Sequence, residues 1–454
     1  GDGDNASFDI DDDTLITTAS FDFEAKAGYS IRVRTTDAGG LTFEEIFTIT
    51  VTNVNEAPTD IVLSASTINE NVAPNSTIGI LSTGDPDGDD SHTYTLVAGD
   101  GSTDNTAFNI DGNALRISAS PDFETKASYT IRVRTTDAGG LTFEEVFTIT
   151  VIDLNESPTA IALSNDTVAE NEPAGTVVGT FSTADPDGGT HAYALVAGAG
   201  SADNASFTIS GNELRTSATF DFEAKDTYSI RVRTTDQGAL YLEIPFTITV
   251  TDVNEAPTDI ALSNNTVAEN EPAGTTVGAF TTSDPDGADT HHYTLVAGDG
   301  DDDNASFTIA GNALQTAEAF DFETDASYSI RVRSTDAGGL FVEKAFTITV
   351  TDVNEAPAAI TLSHDEVEEN QEIGTVVGAF STMAGDGNTH DYALVEGAGD
   401  DDNASFDIDD DTLITAAVFD FETKASYTIR VRSTDENGLF VEETFTITVT
   451  NVNE

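Results

Sequence analysis

Hydrophobic and polar positions alternate with a period of two along much of the chain. In Tyr328-Ser-Ile330-Arg-Val332-Arg333, the Tyr, Ile and Val fall on one face and Ser329, Arg331 and Arg333 on the other. That alternation marks a strand with one face in a core and one in water. Phe346-Thr-Ile348-Thr-Val350 repeats it, and clusters of Gly, Asp and Asn separate such runs. Across 257–356 this punctuation predicts strands near 259–262, 266–268, 276–282, 291–297, 305–310, 313–316, 326–335 and 343–353. Ala310-Gly311-Asn312 reads as a hairpin turn. No stretch has a helical period, so the fold class is all-β.

The same pattern recurs down the chain. Asp-Phe-Glu stands at 22–24, 122–124, 221–223, 321–323 and 420–422, and Pro58, Pro158, Pro257 and Pro357 keep the same rhythm. A period near 100 residues exceeds that of solenoid repeats (~20–50 residues) and matches a free-standing β-sandwich. The predicted organisation is a partial repeat at 1–57 followed by full repeats at 58–157, 158–256, 257–356 and 357–454. Each last strand runs into an Asn-Glu-(Ala/Ser)-Pro linker with no Gly/Ser spacer, and the proline stiffens the joint. No leader opens the sequence, and Gly1 to Ser7 reads as the middle of a loop, which predicts a piece of something longer.

Charge narrows the partners. With 82 Asp+Glu against 17 Lys+Arg, the formal net charge is −65. Such a chain repels nucleic acid and anionic membrane and attracts cations. High solubility and adaptation to salt remain open on composition alone. The absence of cysteine excludes disulfides and thiolate metal sites. No apolar run reaches the ~18 residues of a membrane-spanning helix.

The placement of the acids adds more. Between the repeats at 158–256 and 257–356, loop positions carry Glu170, Asp221 and Glu223, then Asp252, Asn254 and Glu255, then Asp284, Asp286 and Asp336. If these eight carboxylates converge at one seam, they must either hold protons or surround cations. Acids, an amide and backbone carbonyls, with no His or Cys expected nearby, suit Ca²⁺ better than Mg²⁺, which keeps more of its own water. About three calcium ions would balance most of that charge.

Taken in order and at this spacing, these motifs resemble those of tandem cadherin repeats of the bacterial cadherin-like type, over essentially the whole chain. The family's x-E-x, D-x-E, D-x-N-D-N-x-P, D-x-D and later Asp match the residues just named. The resemblance implies seven-stranded Greek-key, immunoglobulin-like β-sandwiches strung into an elongated rod, with Ca²⁺ at each seam. At the first seam the candidate ligands are Asp22, Glu24, Asn55, Glu56, Asp85, Asp87 and Asp137. At the second they are Glu70, Asp122, Glu124, Asp153, Asn155, Glu156, Asp185, Asp187 and Asp236. The third holds the nine already given. The fourth holds Glu269, Asp321, Glu323, Asp352, Asn354, Glu355, Asp386 and Asp435. Glu369, Asp420, Glu422, Asn451, Asn453 and Glu454 read as half a site.

Departures from the motif are expected to weaken particular ions. The linker lacks the family's second Asn, Asn53 replaces the first linker Asp, and Ala384 replaces an Asp at the fourth seam. Asp85-Pro-Asp-Gly-Asp89 is not an EF-hand loop, because its twelfth position is Leu96. Asp299 to Asp303 reads as a hydrated loop tip, and the recurrent His92, His191, His291 and His390 as structural. Ten of the 17 basic residues are paired Arg on the I-R-V-R strands, read as locally paired with the acidic surface. Asn-Ala-Ser sequons at Asn5, Asn204, Asn304 and Asn403 matter only in a glycosylating host. Near-identical, cysteine-free repeats point to a bacterial surface. The expected function is a non-enzymatic calcium-binding adhesin or extension module, extracellular or at the cell surface. The alternatives are a fibre subunit, with strand addition completing the 1–57 repeat, or repeats that bind glycans, proteins or like chains directly.

Overall fold

The computed structural model describes residues 3–387 and 389–453, so Gly1 and Asp2 of the opening loop, and Glu454 of the half-site, lie outside the described residues. The chain divides into two compact units, Gly1–Phe220 with Thr227–Val250 and Asp221–Asp226 with Thr251–Glu454. Apart from single 3₁₀ turns such as Asn5–Ser7, the regular elements described are all strands.

The strands within 257–356 show the plan. One sheet orders Asp259–Leu262, Thr276–Ser283, Ala313–Thr316 and Phe307–Ala310; the other orders Thr266–Ala268, Phe341–Thr351, Ser327–Thr335 and His292–Leu295. The expected seven strands are present, with the first divided between the two sheets. Its second half, Thr266–Ala268, pairs parallel with Phe341–Thr351, while the other pairs are antiparallel. The break between the halves needs a glycine opposite it. A Cβ at Gly278 would fall 2.4 Å from the Asn264 carbonyl oxygen, and Gly179 and Gly378 are equally confined.

The faces follow the alternation read from sequence. Ile330, Val332, Ile348 and Val350 are buried together with Ile260, Phe280, Phe307, Leu314 and Phe320, a cluster whose removal from water supplies most of the fold's driving force. Arg331 and Arg333 point outward and both hydrogen-bond Glu343, through Nε, at 3.0 and 2.9 Å. The two guanidinium groups, Arg333 first, hold the Glu343 carboxyl below its ordinary value. In the two opening hairpins, Phe8–Asp11 with Thr14–Thr17 and Gly28–Thr36 with Thr42–Thr50, the corresponding core side is open, and Ile10, Phe43 and Phe47 are exposed.

One position varies between repeats with a stability consequence. Lys126 pairs with Asp104 and lies 4.9 Å from the Tyr129 ring centre; Lys424 does the same with Asp402 and Tyr427. At the corresponding position after Asp321-Phe-Glu, that lysine is Asp325. Burial, then the charges of Asp325, Glu318 and Asp303, push the Tyr328 hydroxyl above its usual range. Asp325→Lys is expected to restore the pair and the ring contact, a gain of about 1 kcal/mol. The check is a higher urea midpoint with an unchanged slope.

Candidate metal centre

The predicted acids are set by strand ends. The glutamate of the x-E-x motif ends the second half of the first strand, where its backbone still continues the parallel ladder: Glu70 N–H donates to Ile152 O. That ladder turns the side chain inward. Glu70 is 1% exposed, its Oε2 accepting from Phe123 N–H (2.8 Å) and its Oε1 from Leu154 N–H (2.6 Å). Glu269 holds Phe322 and Val353 in the same way at 2.8 and 2.7 Å. One buried carboxylate therefore ties the Asp-Phe-Glu turn to the linker. Glu170 and Glu369 are buried at the same position, and Glu369 holds Phe421 and Val452.

The Asp of Asp-Phe-Glu serves its own turn. Asp122 accepts from the N–H and the hydroxyl of Thr125, Asp321 and Asp420 do the same with Thr324 and Thr423, and Asp22 and Asp221 accept from Ala25 and Ala224 N–H. The Glu two residues on points elsewhere. Carboxylate oxygens of Glu70, Glu124, Asp153 and Asp187 lie within 4.8 Å of one another, as do those of Glu24, Glu56 and Asp87, and those of Glu223, Glu255 and Asp286.

The linker and the following repeat complete each group. Linker amide N–H groups grip the second Asp of D-x-D: Glu56 N–H to Asp87 (2.8 Å), Glu156 to Asp187 (2.5 Å), Glu255 to Asp286 (2.7 Å) and Glu355 to Asp386 (2.9 Å). Linker Asn side chains reach the later Asp: Asn55 to Asp137 (3.0 Å), Asn155 to Asp236 (2.9 Å), Asn254 to Asp336 (3.0 Å) and Asn354 to Asp435 (2.9 Å). At the chain's far end, Asn451 donates to Glu422.

Contrary to the expectation of no His near the acids, three histidines sit directly on the cluster, because the loop after D-x-D folds back onto its first Asp. Nε2 of His92, His191 and His291 lies 2.8, 2.7 and 2.7 Å from Oδ2 of Asp85, Asp185 and Asp284. The expectation of a structural role thus becomes specific: each histidine fixes the first Asp of D-x-D. Where Ala384 replaces that Asp, His390 Nε2 is buried without a hydrogen-bond partner among the described residues. The acidic loop also gains a role, since Asp303 accepts from Ser329 N–H (2.7 Å) and Asp301 from Gly298 N–H (3.0 Å).

Crowding shows in the proton affinities. Burial first, then the charges of Glu56 and Asp87, raises Glu24; burial, then Glu269, Asp352 and Glu355, raises Glu323. Glu124 is raised although its own N–H bonds it, because burial and the charges of Glu70, Asp187 and Glu156 outweigh that bond. Burial, then Asp187, raises Asp153. Asp87 is lowered by the Glu56 N–H and then Asn53; Asp137 and Asp336 are lowered by their Asn and backbone donors against the effect of burial.

A raised carboxyl costs nothing below the ordinary value of 4.5; its cost to folding grows from there up to its shifted value and is constant above it. A lowered one stabilises above 3.8, and that gain is lost as pH falls through its depressed value. In chelator, the chain is therefore expected to gain stability as pH falls from neutral toward the ordinary value of 4.5 and to lose it as pH falls below 3.8. Saturating calcium removes the gain on acidification, and calorimetric melting across that range checks both halves.

The donor set fits a hard divalent cation. It is oxygen throughout, and Oδ1 of Asp187 and of Asp286 is buried with no hydrogen-bond partner among the described residues. A buried carboxylate oxygen without a donor is costly; a cation bound there would relieve it.

Comparison with known proteins agrees with this geometry. A profile of the family described as "Cadherin domain" matches residues 165–251 and 263–351. Protocadherin Fat 4 of Mus musculus is 26% identical over 471 residues, covering 99% of this chain but 9% of its own length. Protocadherin-16 of Rattus norvegicus is 31% identical over 251 residues, 52% of this chain and 8% of its own length. The chain thus spans a small part of the curated relatives it matches. Among solved structures, the protocadherin GammaB4 extracellular domain is similar with a TM-score of 0.64 at 23% identity, covering 97% of this chain and 74% of that one. Protocadherin Gamma B2 extracellular cadherin domains 1-5 give 0.64 at 18% identity, covering 99% and 92%. The chain is an all-β protein of tandem cadherin-like repeats.

Proposed function

We propose that this chain is a calcium-rigidified adhesin or extension module, extracellular or at a cell surface, and that it is not an enzyme. Its repeats run at 58–157, 158–256, 257–356 and 357–454 after a partial one at 1–57, and Ca²⁺ at the seams converts a hinged string into a rod. The observation that carries the reading is the gathering of carboxylates around buried, donorless oxygens such as Asp187 Oδ1 and Asp286 Oδ1. Sites of this kind bind at ~10⁻⁴–10⁻³ M, which suits extracellular calcium. Like chains, or glycans and proteins of a neighbouring surface, are the partners the reading implies. The absence of cysteine and the near-identity of the repeats support a bacterial surface.

Calorimetric titration of the chain with CaCl₂ tests the reading. Several ions per chain are expected, with fewer after Asp252→Ala together with Glu255→Ala. An isotherm without heat, or one unaltered by that pair, contradicts it.

A further inference from the structure

We propose that Asn437 is a metal-independent clasp, built into the fourth seam alone, that holds the linker onto the repeat at 357–454 when calcium is absent. The clasp itself needs no ion; only the contrast with the other seams rests on their being closed by calcium.

Two residues past the later Asp, the loop carries glycine at the first three seams: Gly139, Gly238 and Gly338. The linker Asn lies flat against that glycine. A Cβ there would fall 2.3, 2.3 and 2.1 Å from Oδ1 of Asn55, Asn155 and Asn254. At the fourth seam the same place in the loop is Asn437. Its side chain meets the linker with a bond: Asn437 Nδ2 donates to Asn354 Oδ1 at 2.6 Å. Asn354 Nδ2 donates onward to Asp435 Oδ2 at 2.9 Å, and Asn437 N–H donates to Asp435 Oδ1 at 2.8 Å. The three residues thus close a ring, in which the linker amide receives a hydrogen bond as well as giving one.

The ring grips the linker at its hinge. Val353 N–H is held by Glu269 at 2.7 Å on the side of the preceding repeat, and Glu355 N–H by Asp386 at 2.9 Å on the side of the following one. Asn354 is the residue between the two anchors. The Asn437–Asn354 bond joins neutral amides, so neither chelator nor salt weakens it. Ala384 adds to the effect, because this seam carries one carboxylate fewer than the third and repels itself less when no ion is bound. Stripped of calcium, the repeats at 257–356 and 357–454 would move as a pair while other joints hinge.

Hydrogen exchange of the whole chain in EDTA, read by mass spectrometry at the Glu255 and Glu355 amides, tests the clasp. Both lie in Asp-Val-Asn-Glu-Ala-Pro, so their intrinsic rates match. Each donates to the second Asp of D-x-D, at 2.7 and 2.9 Å, so protection reads whether the linker is docked. Glu355 is expected to exchange roughly 2- to 10-fold more slowly than Glu255, the span that one hydrogen bond supplies. Asn437→Gly, which installs the residue of the other seams, should bring Glu355 most of the way to the Glu255 rate. Asn437→Asp keeps the backbone bond but loses the side-chain donor, and should do the same. Equal rates in the parent, or a difference that survives both variants, overturn the clasp; survival would assign the difference to the missing carboxylate at 384. Added CaCl₂ should slow Glu255 far more than Glu355. If neither amide responds to calcium while the variants still act, the calcium reading falls and the clasp stands.

Discussion

Saturating calcium is expected to raise the melting temperature of the chelated chain by roughly 10 °C or more. An ion present at ~100 times its Kd stabilises by ~2.7 kcal/mol per site, and 1 kcal/mol moves a domain of this size by ~4–8 °C. The effect must be specific to the ion, because the −65 charge alone responds to any salt by screening. Calorimetry in about 10 mM CaCl₂ against NaCl of equal ionic strength separates the two causes. Small-angle scattering on the same samples reads the joints: calcium should narrow the range of inter-repeat angles and chelator should widen it. Equal midpoints in the two salts would reduce the seams to an acidic surface.

Glu269→Ala should be the most damaging single change at a seam. Glu269 is 2% exposed, and its two oxygens satisfy the Phe322 and Val353 N–H groups. Truncation strands both donors, at about 1–3 kcal/mol each, offset by release of a buried charge. A net loss of about 2–4 kcal/mol is expected in EDTA, before any lost ion is counted. Glu269→Gln keeps one acceptor and should fall between. Urea unfolding in chelator measures the structural contribution, and repetition in calcium adds that of the metal. A loss seen only in calcium would mean that the two hydrogen bonds contribute nothing of their own.

Much of this was legible in the residues. The alternation in Tyr328 to Arg333 and Phe346 to Val350 marked the central hairpin, observed as Ser327–Thr335 with Phe341–Thr351. The last strand begins two residues before its predicted start because cross-strand pairing extends to Thr335 opposite Phe341, a long-range fact that local propensity does not carry. The positions of the seam acids were readable because they repeat. The histidine–aspartate contacts were not, since loops of two lengths place the same atoms together.

The parallel pairing of Thr266–Ala268 with Phe341–Thr351 has a mechanical consequence. Its two strands lie near opposite ends of the repeat's sequence and run in the same direction. Tension applied at the repeat's two ends therefore pulls them lengthwise past each other and strains their bridging bonds together. An antiparallel pair gripped at a single end would unzip bond by bond. Each bead is thus arranged to resist stretching at the place where force enters it.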